Sequence, residues 1–588
     1  MSTAMIGAIR GELPFDIFIR NVQIVNVYDS SIVPGCVGVV GERLAYVGEE
    51  RPGFRGRREV DGQGKYALPG FVDSHMHLES SMLAPAHFAR IALTCGTTTV
   101  AADPHEIGNV MGLEGVQALV EACEGLPLRT LVMAPSTIPS APGFEDSGYE
   151  VGPGEVDRLL DLPGVWGLGE VMDFNGVADG EERILSVIER ARRRHCLLDG
   201  HASLLTGARL QAFRATGIDS DHTTNSPEKL REELALGFTV QVQESMLSRG
   251  MVEAMNQAPV QDRICLVTDD VPLHRLMRDG HLNHVVEKAV SLGLEPVRAI
   301  RFATINAAQR LRLYDVGGLA PGMAADVQLV EDIRRPRPVF LLRGGEILVE
   351  EGRFLPRLPV VIPPVLREST MDIDPVREED FRLRVEVPAG FRGGRGRANL
   401  IGQDGIGVRT KRVERSLELG PERDGLAEVQ GEKLLKMAVF NRYGKGQRGL
   451  ALVDGMEGVG GAVALTYGHD CHNLTVFGGN DADMALAANA VIEAGGGLCT
   501  AQDGQVRHQI PLPLAGLMCD LPPEELLGRM EELLGHCREM GFRHENLLTF
   551  LTVMPLAVSP EIKCTDRGLL DVAHKKFLPL VEGIEEDR

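Results

Sequence analysis

Two histidines separated by a single residue are the first candidates for chemistry in this chain. The stretch Gly70 to His77 (GFVDSHMH) is an apolar run that ends in His-x-His. On a β-strand, residues i and i+2 project to the same face, so both imidazoles can reach one metal ion. The alternative is two unrelated histidines near a turn, and later residues must decide between the two interpretations.

Further residues of metal-ligating type end later apolar runs, and turn or helix signals follow each of them: Glu170, His201, His222, and Asp269 with Asp270. Their separations correspond to one or two strand-plus-helix units of about 30 residues each. This rhythm predicts an α/β fold of the (β/α)₈ barrel type. The active sites of such barrels collect at the C-terminal ends of the strands.

The order and context of these residues resemble a known family. The order His-x-His, acid, His, His, Asp is similar to that of the amidohydrolase superfamily of metal-dependent hydrolases. Gly70 to Ser81 (GFVDSHMHLESS), Thr97 to Gly108 (TTTVAADPHEIG), Asp221 to Pro227 (DHTTNSP) and Thr268-Asp269-Asp270 resemble the bacterial and archaeal adenine deaminases. GFVDSHMH marks only the superfamily, whereas HMHLESS with AADPHEIGNVMG is more specific. The resemblance covers nearly the whole chain and implies hydrolysis of adenine to hypoxanthine and ammonia, a purine-salvage reaction.

The chain is too long for a single hydrophobic core, and its parts can be assigned from pattern and resemblance. Short alternating stretches before the barrel predict antiparallel strands, and a similar passage returns after it. In the resembled family these two pieces form one small β-sandwich, and an α+β domain follows. The predicted ranges are 1–69 and 321–360 for the sandwich, 70–320 for the barrel, and 361–588 for the C-terminal domain.

One helix of the C-terminal part is clearly patterned. Apolar residues alternate at spacings of four and three, with Pro522-Pro523 before them and Gly541 after them: Leu526, Met530, Leu533, Cys537 and Met540. This stripe predicts a helix whose apolar face packs into a core.

Composition agrees with a soluble cytosolic enzyme, and the resemblance implies a small-molecule substrate. The 588 residues include 61 Lys and Arg against 83 Asp and Glu, a formal net charge of −22. This charge disfavours nucleic acid and anionic membranes as partners. Ten scattered cysteines without a CxxC motif predict reduced thiols, and neither a signal sequence nor a membrane-spanning run is expected. A homo-oligomer is also expected.

The candidate ligands suggest a centre for two divalent ions. His75 and His77 would hold one ion and His201 with His222 the other, with Asp269 completing the first set. Glu170 would bridge the two ions. Many superfamily members use a carbamylated lysine as the bridge, but no lysine lies between positions 148 and 228 here. Nitrogen and oxygen ligands without cysteine suit Mn²⁺ or Fe²⁺, with Zn²⁺ as the alternative.

The chemistry of such a centre is hydrolysis. Two ions that share a water molecule lower its pKa and supply hydroxide near pH 7. Asp269 would accept the proton and pass it to the departing nitrogen. Asp103 is a further catalytic candidate, and its alternative role is an Asx-turn or helix cap before Pro104.

Other polar residues have two interpretations each. Asp270 can bind the substrate or hold its loop, and Glu79 can support the site from behind a ligating histidine or cap a helix. His105 and Glu106 can bind an additional ion or the substrate, or be buried structural residues. Three residues can line the pocket or, as we expect, cap helices: Ser203, Asn225 and Ser226. The segment 468–473 (GHDCHN), with His469 and His472, resembles a segment of the adenine deaminases, and a structural turn is its default interpretation.

Rival functions remain at this stage. A cyclic amide hydrolase of the same superfamily would usually carry the lysine bridge, and a different aminopurine is another potential substrate. The zinc nucleobase deaminases of another fold need H-x-E and P-C-x-x-C. His77-Leu78-Glu79 matches the first motif, but the second is absent from the sequence. A non-catalytic metal-binding relative is the alternative of a different class.

Overall fold

The structure, a computed structural model, describes residues 2–404, 409–430 and 434–586. Residue 1 of the predicted range 1–69 lies outside the described residues. So do 405–408, 431–433 and 587–588 of the predicted range 361–588. The described chain divides into two compact units. The first comprises Met1–Pro104, Leu119–Ser136 and Gly152–Val361, and the second comprises His105–Ala118, Thr137–Val151 and Ile362–Arg588.

A parallel β-sheet forms the centre of the first unit. Its six strands are, in sheet order, Leu197–Gly200, Val165–Val171, Arg129–Ala134, Thr97–Ala102, Phe71–His77 and Asp269–Asp270. Three more parallel strands form a second sheet: Ser220–Asp221, Thr239–Val242 and Ile264–Leu266. Phe71–His77 is buried along its whole length, as expected for a parallel strand covered on both faces. The predicted α/β class is therefore confirmed.

Helices separate the parallel strands along the chain. Those of the first unit are Ser2–Ile9, Pro85–Thr94, Pro153–Leu160, Phe174–Asp179, Glu182–Arg193, Gly207–Ala215, Pro227–Ala235, Arg249–Gln257, Leu273–Arg278, Leu282–Ser291, Pro296–Phe302 and Ile305–Arg310, with 3₁₀ turns at Glu79–Ser81 and Glu244–Met246. Ser226 caps one of them, since its side chain accepts a hydrogen bond from the Lys229 amide at 3.2 Å. The capping role expected for Ser226 is confirmed.

The two passages that flank the parallel strands in sequence share one nine-stranded sheet. Tyr66–Pro69, from the first passage, pairs with Val327–Val330, from the second. The strands in order are Arg353–Phe354, Glu346–Glu350, Pro338–Arg343, Val327–Val330, Tyr66–Pro69, Phe15–Val25, Ile32–Val40 and Arg43–Gly48, with Gly56–Asp61 also paired to Phe15–Val25. The two passages therefore lie together in one sheet, as the sequence predicts.

The second unit is built on a large mixed sheet. Its strands in order are Arg384–Glu386, Leu426–Gln430, Thr410–Leu419, Gly394–Gln403, Arg448–Val453, Leu435–Phe440, Leu474–Gly478, Ala462–Leu465, Gly497–Gln502 and Gln505–Pro511, with Val581–Glu586 paired to Gly394–Gln403. A smaller sheet contains Ile562–Thr565, Gly568–Asp571 and Lys576–Phe577. The helical elements are Asp481–Glu493, Pro523–Glu539 and Leu547–Val553, the 3₁₀ turns Pro364–Arg367 and Glu378–Phe381, and the part of His105–Cys123 up to Ala118.

The patterned helix of the C-terminal part is present. It runs over Pro523–Glu539, and Met540 follows as its C-terminal cap. All five residues of the predicted stripe are buried, with exposures between 0 and 3%. The stripe is core packing, as the sequence predicts.

The structure also describes the cysteines and the apolar character of the helices. All ten cysteines are free thiols, and most are buried. Among the described residues, no helix has the length and apolar character needed to cross a bilayer.

A fully buried lysine gives the second unit a pH-dependent stability. Burial lowers the pKa of Lys563 from 10.5 to about 7, and its ammonium donates to the Val553 carbonyl at 3.0 Å. Between these two pH values the unfolded chain binds a proton that the folded chain lacks, so the free energy of unfolding rises with pH. Below pH 7 both states are protonated, and the cost of burying the charge is fully present.

Lys563→Met is therefore expected to stabilise the second unit most at pH 7 and progressively less toward pH 10. Denaturation of both proteins across this range measures the difference. The exposed Lys411, replaced in the same way, serves as the control and should show no such pH dependence. A gain that is equal at pH 7 and pH 10 would contradict the lowered pKa.

Candidate metal centre

The predicted metal ligands come from the C-terminal ends of neighbouring parallel strands in the first unit. His75 and His77 end the strand Phe71–His77, and Glu170 lies near the end of Val165–Val171. His201 and His222 directly follow their strands. The last strand pairs with the first, with Asp269 opposite Met76. Because parallel strands end at one edge of a sheet, all six side chains can meet there.

The structure brings these six side chains together around Glu170. Its Oε1 lies 3.3 Å from His77 Nε2, and its Oε2 lies 2.6 Å from His201 Nδ1 and 3.2 Å from His222 Nε2. Asp269 Oδ1 lies 3.2 Å from His77 Nε2 and 3.6 Å from His75 Nε2. The two oxygens of Glu170 thus face different histidines, which is the arrangement that a bridging carboxylate needs.

The spacing of the donor atoms fits metal ions. Ligands about 2.1 Å from one ion lie about 3 to 3.5 Å from each other, and most of the separations above fall near this range. Three overlapping groups have donor atoms within 4.8 Å of one another: His75, His77 and Glu170; His75, His222 and Asp269; Glu170, His201 and His222. The residues present therefore fit a metal centre.

Electrostatics favour an anionic bridge. Burial raises the pKa of Glu170, but the charges of His222 and His201 and their hydrogen bonds outweigh it and hold the pKa well below its usual range. The carboxylate is therefore ionised in this environment, with both oxygens available to cations.

Two histidines are oriented through their Nδ1 atoms. His77 Nδ1 lies 2.9 Å from the Asp103 carbonyl oxygen, and His75 Nδ1 lies 2.8 Å from Asp199 Oδ2. Each imidazole donates its Nδ1–H to these acceptors, which leaves Nε2 as the ligating atom. Both Nε2 atoms face Asp269, so the orientation agrees with a shared ion.

Asp199 was not among the residues selected from the sequence. It is buried, and its Oδ1 accepts hydrogen bonds from Ser220 at 2.5 Å, Gln241 at 3.1 Å and Arg310 at 3.4 Å. This network fixes the carboxylate that orients His75. A signal was present, because Asp199 and His201 alternate at the end of the same apolar run.

Asp199→Asn is expected to weaken metal binding about 10- to 100-fold, since the amide is a poorer acceptor for the His75 Nδ1–H. Titration of the metal-stripped protein with Mn²⁺ measures the change. Asp219→Asn is the matched control, because Asp219 also approaches Arg310, at 3.6 Å, but is partly exposed and makes no hydrogen bond to His75. Equal Mn²⁺ affinity in the Asp199 variant and the parent would show that the network does not position the ligand.

Asp103 contacts the backbone of Glu170, the candidate bridging residue. Its Oδ2 accepts a hydrogen bond from the Glu170 backbone amide at 2.6 Å. A side chain at Gly169 would place Cβ only 2.3 Å from this oxygen, so the contact requires glycine there. The Asx-turn or helix-cap role also considered for Asp103 stays a prediction, and the N-cap residue of the helix His105–Cys123 is Pro104. The geometry is that of a residue that positions Glu170.

Hydrogen bonds of Asp269 and of the preceding Thr268 fix the position of the Asp269 carboxylate. Gln243, which the sequence did not single out, donates from Nε2 to Asp269 Oδ2 at 2.5 Å. The preceding Thr268 donates its hydroxyl to Asp73 Oδ2 at 2.6 Å. Asp269 itself has a φ of +58°, a left-handed backbone conformation that costs energy in a residue with a side chain. These contacts aim the carboxylate at His75 and His77.

Two predicted substrate-binding residues lie in different environments. Asp270 is exposed, and its Oδ1 accepts a hydrogen bond from the Ser80 hydroxyl. Glu79 is fully buried in the 3₁₀ turn Glu79–Ser81, and the helix that follows, Pro85–Thr94, is not capped by a side chain. Glu79 is therefore not a helix cap.

The remaining predicted residues belong to the second unit. His105 and Glu106 lie next to His469 and His472, and all four are buried. The imidazoles of His469 and His472 contact the Glu106 carboxylate. Gly468 to Asn473 was noted in the sequence, but nothing there indicated which residues it would meet.

Comparison with known proteins identifies the family to which the chain belongs. A model of the amidohydrolase family matches residues 66–349, and one of the adenine deaminase C-terminal domain matches 408–576. The chain is 36% identical to an adenine deaminase of Desulfatibacillum aliphaticivorans over 98% of this chain and 99% of the relative. It is 39% identical to one of Klebsiella pneumoniae (strain 342), over 98% and 95% of the two chains. Among solved structures, the N-acetyl-D-glucosamine-6-phosphate deacetylase of Mycobacterium smegmatis is 20% identical with a TM-score of 0.46, covering 57% of this chain and 100% of that one. The 36% and 39% identity to the two adenine deaminases, over nearly the full length, shows that the chain belongs to the adenine deaminase family.

Proposed function

We propose that the protein is an adenine aminohydrolase that converts adenine and water to hypoxanthine and ammonia at a centre for two divalent ions. The purine substrate is supported by the relatives, which are named adenine deaminases across nearly the same length. The hydrolytic centre is supported by one observation above all. The two oxygens of Glu170 face His77 on one side and His201 with His222 on the other.

The ligand sets follow from these contacts. His75, His77, Glu170 and Asp269 would hold one ion, and Glu170, His201 and His222 would hold the other. Mn²⁺ or Fe²⁺ suits these nitrogen and oxygen donors, with Zn²⁺ as the alternative. When bound, such a pair of ions lowers the pKa of a shared water so that it can act as a nucleophile near neutral pH.

Asp269 performs the proton transfers. As the C6–O bond forms and the C6–N bond breaks, the water loses a proton and the amine gains one. The Asp269 carboxylate faces both His75 and His77, so it would lie beside a water held at this centre, where it would accept the first proton and deliver the second. Asp103 contributes by fixing the Glu170 backbone, and Asp270 and Glu79 contact the purine.

The proposed domain organisation keeps the ranges of the sequence analysis. The two parallel sheets of the first unit are arcs of one (β/α)₈ barrel at 70–320, which the pairing of the last strand with the first supports. Residues 1–69 and 321–360 form the small β-sandwich, and 361–588 the α+β domain. The free cysteines support a reducing compartment, the cytoplasm. The acidic charge supports a small-molecule substrate without nucleic-acid or membrane partners, and the chain forms a homo-oligomer.

The decisive experiment measures ammonia release by the Mn²⁺-loaded protein from a panel of purines, pyrimidines and cyclic amides. We expect turnover of adenine with hypoxanthine as the product. Turnover of a cyclic amide but not of adenine would favour the rival hydrolase. A protein that binds metal and turns over none of the panel would favour the non-catalytic relative.

A further inference from the structure

A second group of histidines and carboxylates lies inside the second unit. It consists of His105 and Glu106, at the start of the helix His105–Cys123, and His469, Asp470 and His472, from the loop after the strand Ala462–Leu465. We call these five residues the His105 cluster. Each of them is at most 9% exposed. The proposed deamination mechanism uses none of these side chains.

Four donor atoms of the cluster form a closed ring. His105 Nε2 lies 3.5 Å from Glu106 Oε1, which lies 2.7 Å from His469 Nδ1. Asp470 Oδ1 lies 3.8 Å from both His469 Nδ1 and His105 Nε2. Donor atoms about 2.1 Å from a common ion are about 3 to 3.5 Å apart, so small side-chain adjustments would bring this ring to ligating distances.

The fifth residue supports the ring from outside. His472 Nε2 makes a hydrogen bond to Glu106 Oε2, the oxygen that is not part of the ring. A carboxylate held through one oxygen presents the other in a fixed direction, which is how partners of metal ligands commonly act.

The charge of the cluster calls for a cation. Two carboxylates are buried here, and among the described residues their ion-pair partners are imidazoles, with no lysine or arginine. Asp470 Oδ2 is also buried without a hydrogen-bond partner in the described part of the chain. Buried anions are costly unless a positive charge compensates them, and a divalent ion held by the ring would supply it.

We propose that His105, Glu106, His469 and Asp470 bind a third divalent transition-metal ion, with His472 orienting Glu106. Two imidazole nitrogens and two carboxylate oxygens suit Mn²⁺, Fe²⁺ or Zn²⁺. The ion ties the start of a helix to a loop more than three hundred residues later in the sequence. It therefore stabilises the second unit whether or not adenine is the substrate.

The test counts metal in the full-length protein. After purification with Mn²⁺, and separately with Zn²⁺, elemental analysis is expected to give about three ions per chain. The double variant His469→Ala, Asp470→Ala should lose about one ion and keep about two. A variant with His75→Ala and His77→Ala should lose ions of the first unit and keep the one in the His105 cluster.

His536→Ala is the matched control. His536 is a buried histidine of the same unit, but its nitrogens contact Thr500 and Gln502, each at 3.0 Å, and no carboxylate. It should retain the full metal content. If the double variant does not fold, X-ray diffraction at the Mn or Zn absorption edge of the parent protein replaces it.

Two results would overturn the proposal. One is a parent protein with two ions and an anomalous map without a peak between His105 and His469. The other is a double variant that folds and keeps the same metal content as the parent. Either result would mean that protonated imidazoles, not a metal ion, neutralise the two carboxylates.

Discussion

Replacing Glu170 with glutamine is expected to remove nearly all adenine deamination while leaving the fold intact. The side chain is buried and its two oxygens face separate histidines, so it can serve both ions only as a carboxylate. Glutamine keeps the shape but replaces one charged oxygen with an NH₂ group, which donates hydrogen bonds and cannot ligate a cation. We expect a loss of at least about 100-fold in kcat, because even the partners that orient metal ligands contribute about 10- to 100-fold.

The measurement needs three readings on each sample: kcat for ammonia release, metal content, and denaturation of the metal-free proteins. Metal-free samples are compared because bound ions stabilise the native state by mass action. Glu189→Gln is the control, since this half-buried carboxylate pairs only with Arg192 and Arg193 on its own helix in the described residues. Wild-type turnover by the Glu170 variant would show that the bridge is a different group.

The sequence was sufficient to predict, for a physical reason, that the candidate ligands would lie close together. Parallel strands end at one edge, so a histidine or carboxylate at the end of an apolar run has a predictable position. His75, His77 and Glu170 are all of this kind. The α/β class followed from the same pattern, because buried parallel strands are nearly continuous apolar runs.

Residues behind the ligands could not be predicted in the same way. Gln243 reaches Asp269 across two strands, and Arg310 reaches Asp199 from a helix far along the chain. Such contacts depend on tertiary packing, so a local sequence pattern does not predict them. Asp199 was the exception, since it alternates with His201.

The division into units shows the same limit. The predicted ranges are continuous, whereas 105–118 and 137–151 group with the C-terminal part of the chain. From the sequence, His105 and Glu106 could bind an additional ion or the substrate, or be buried structural residues. The partners His469 and His472 became apparent only when the fold brought the segments together.

Asp269→Asn is the second change with a large expected effect. Burial raises the pKa of Asp269, but hydrogen bonds with His75 and His77 outweigh it and keep the carboxylate ionised. An ionised carboxylate can accept the proton of the attacking water and return it to the leaving amine, and asparagine can do neither. General acid–base participation contributes about 10²- to 10⁴-fold, so kcat should fall by at least that order.

Asp269 is proposed both to bind an ion and to transfer protons, and its Oδ1 faces His75 and His77, the proposed ligands of that ion. Loss of activity alone would not separate these two roles. Metal content and the affinity for adenine must therefore be measured on the sample used for kinetics. Asp262→Asn, at an exposed carboxylate paired with Arg301, controls for the loss of a charge in the same unit. An Asn variant that keeps its metal and binds adenine but loses kcat would assign proton transfer to Asp269. If it keeps both metal and wild-type kcat, the proton passes through another carboxylate, and Asp103, which contacts the Glu170 backbone, becomes the leading candidate.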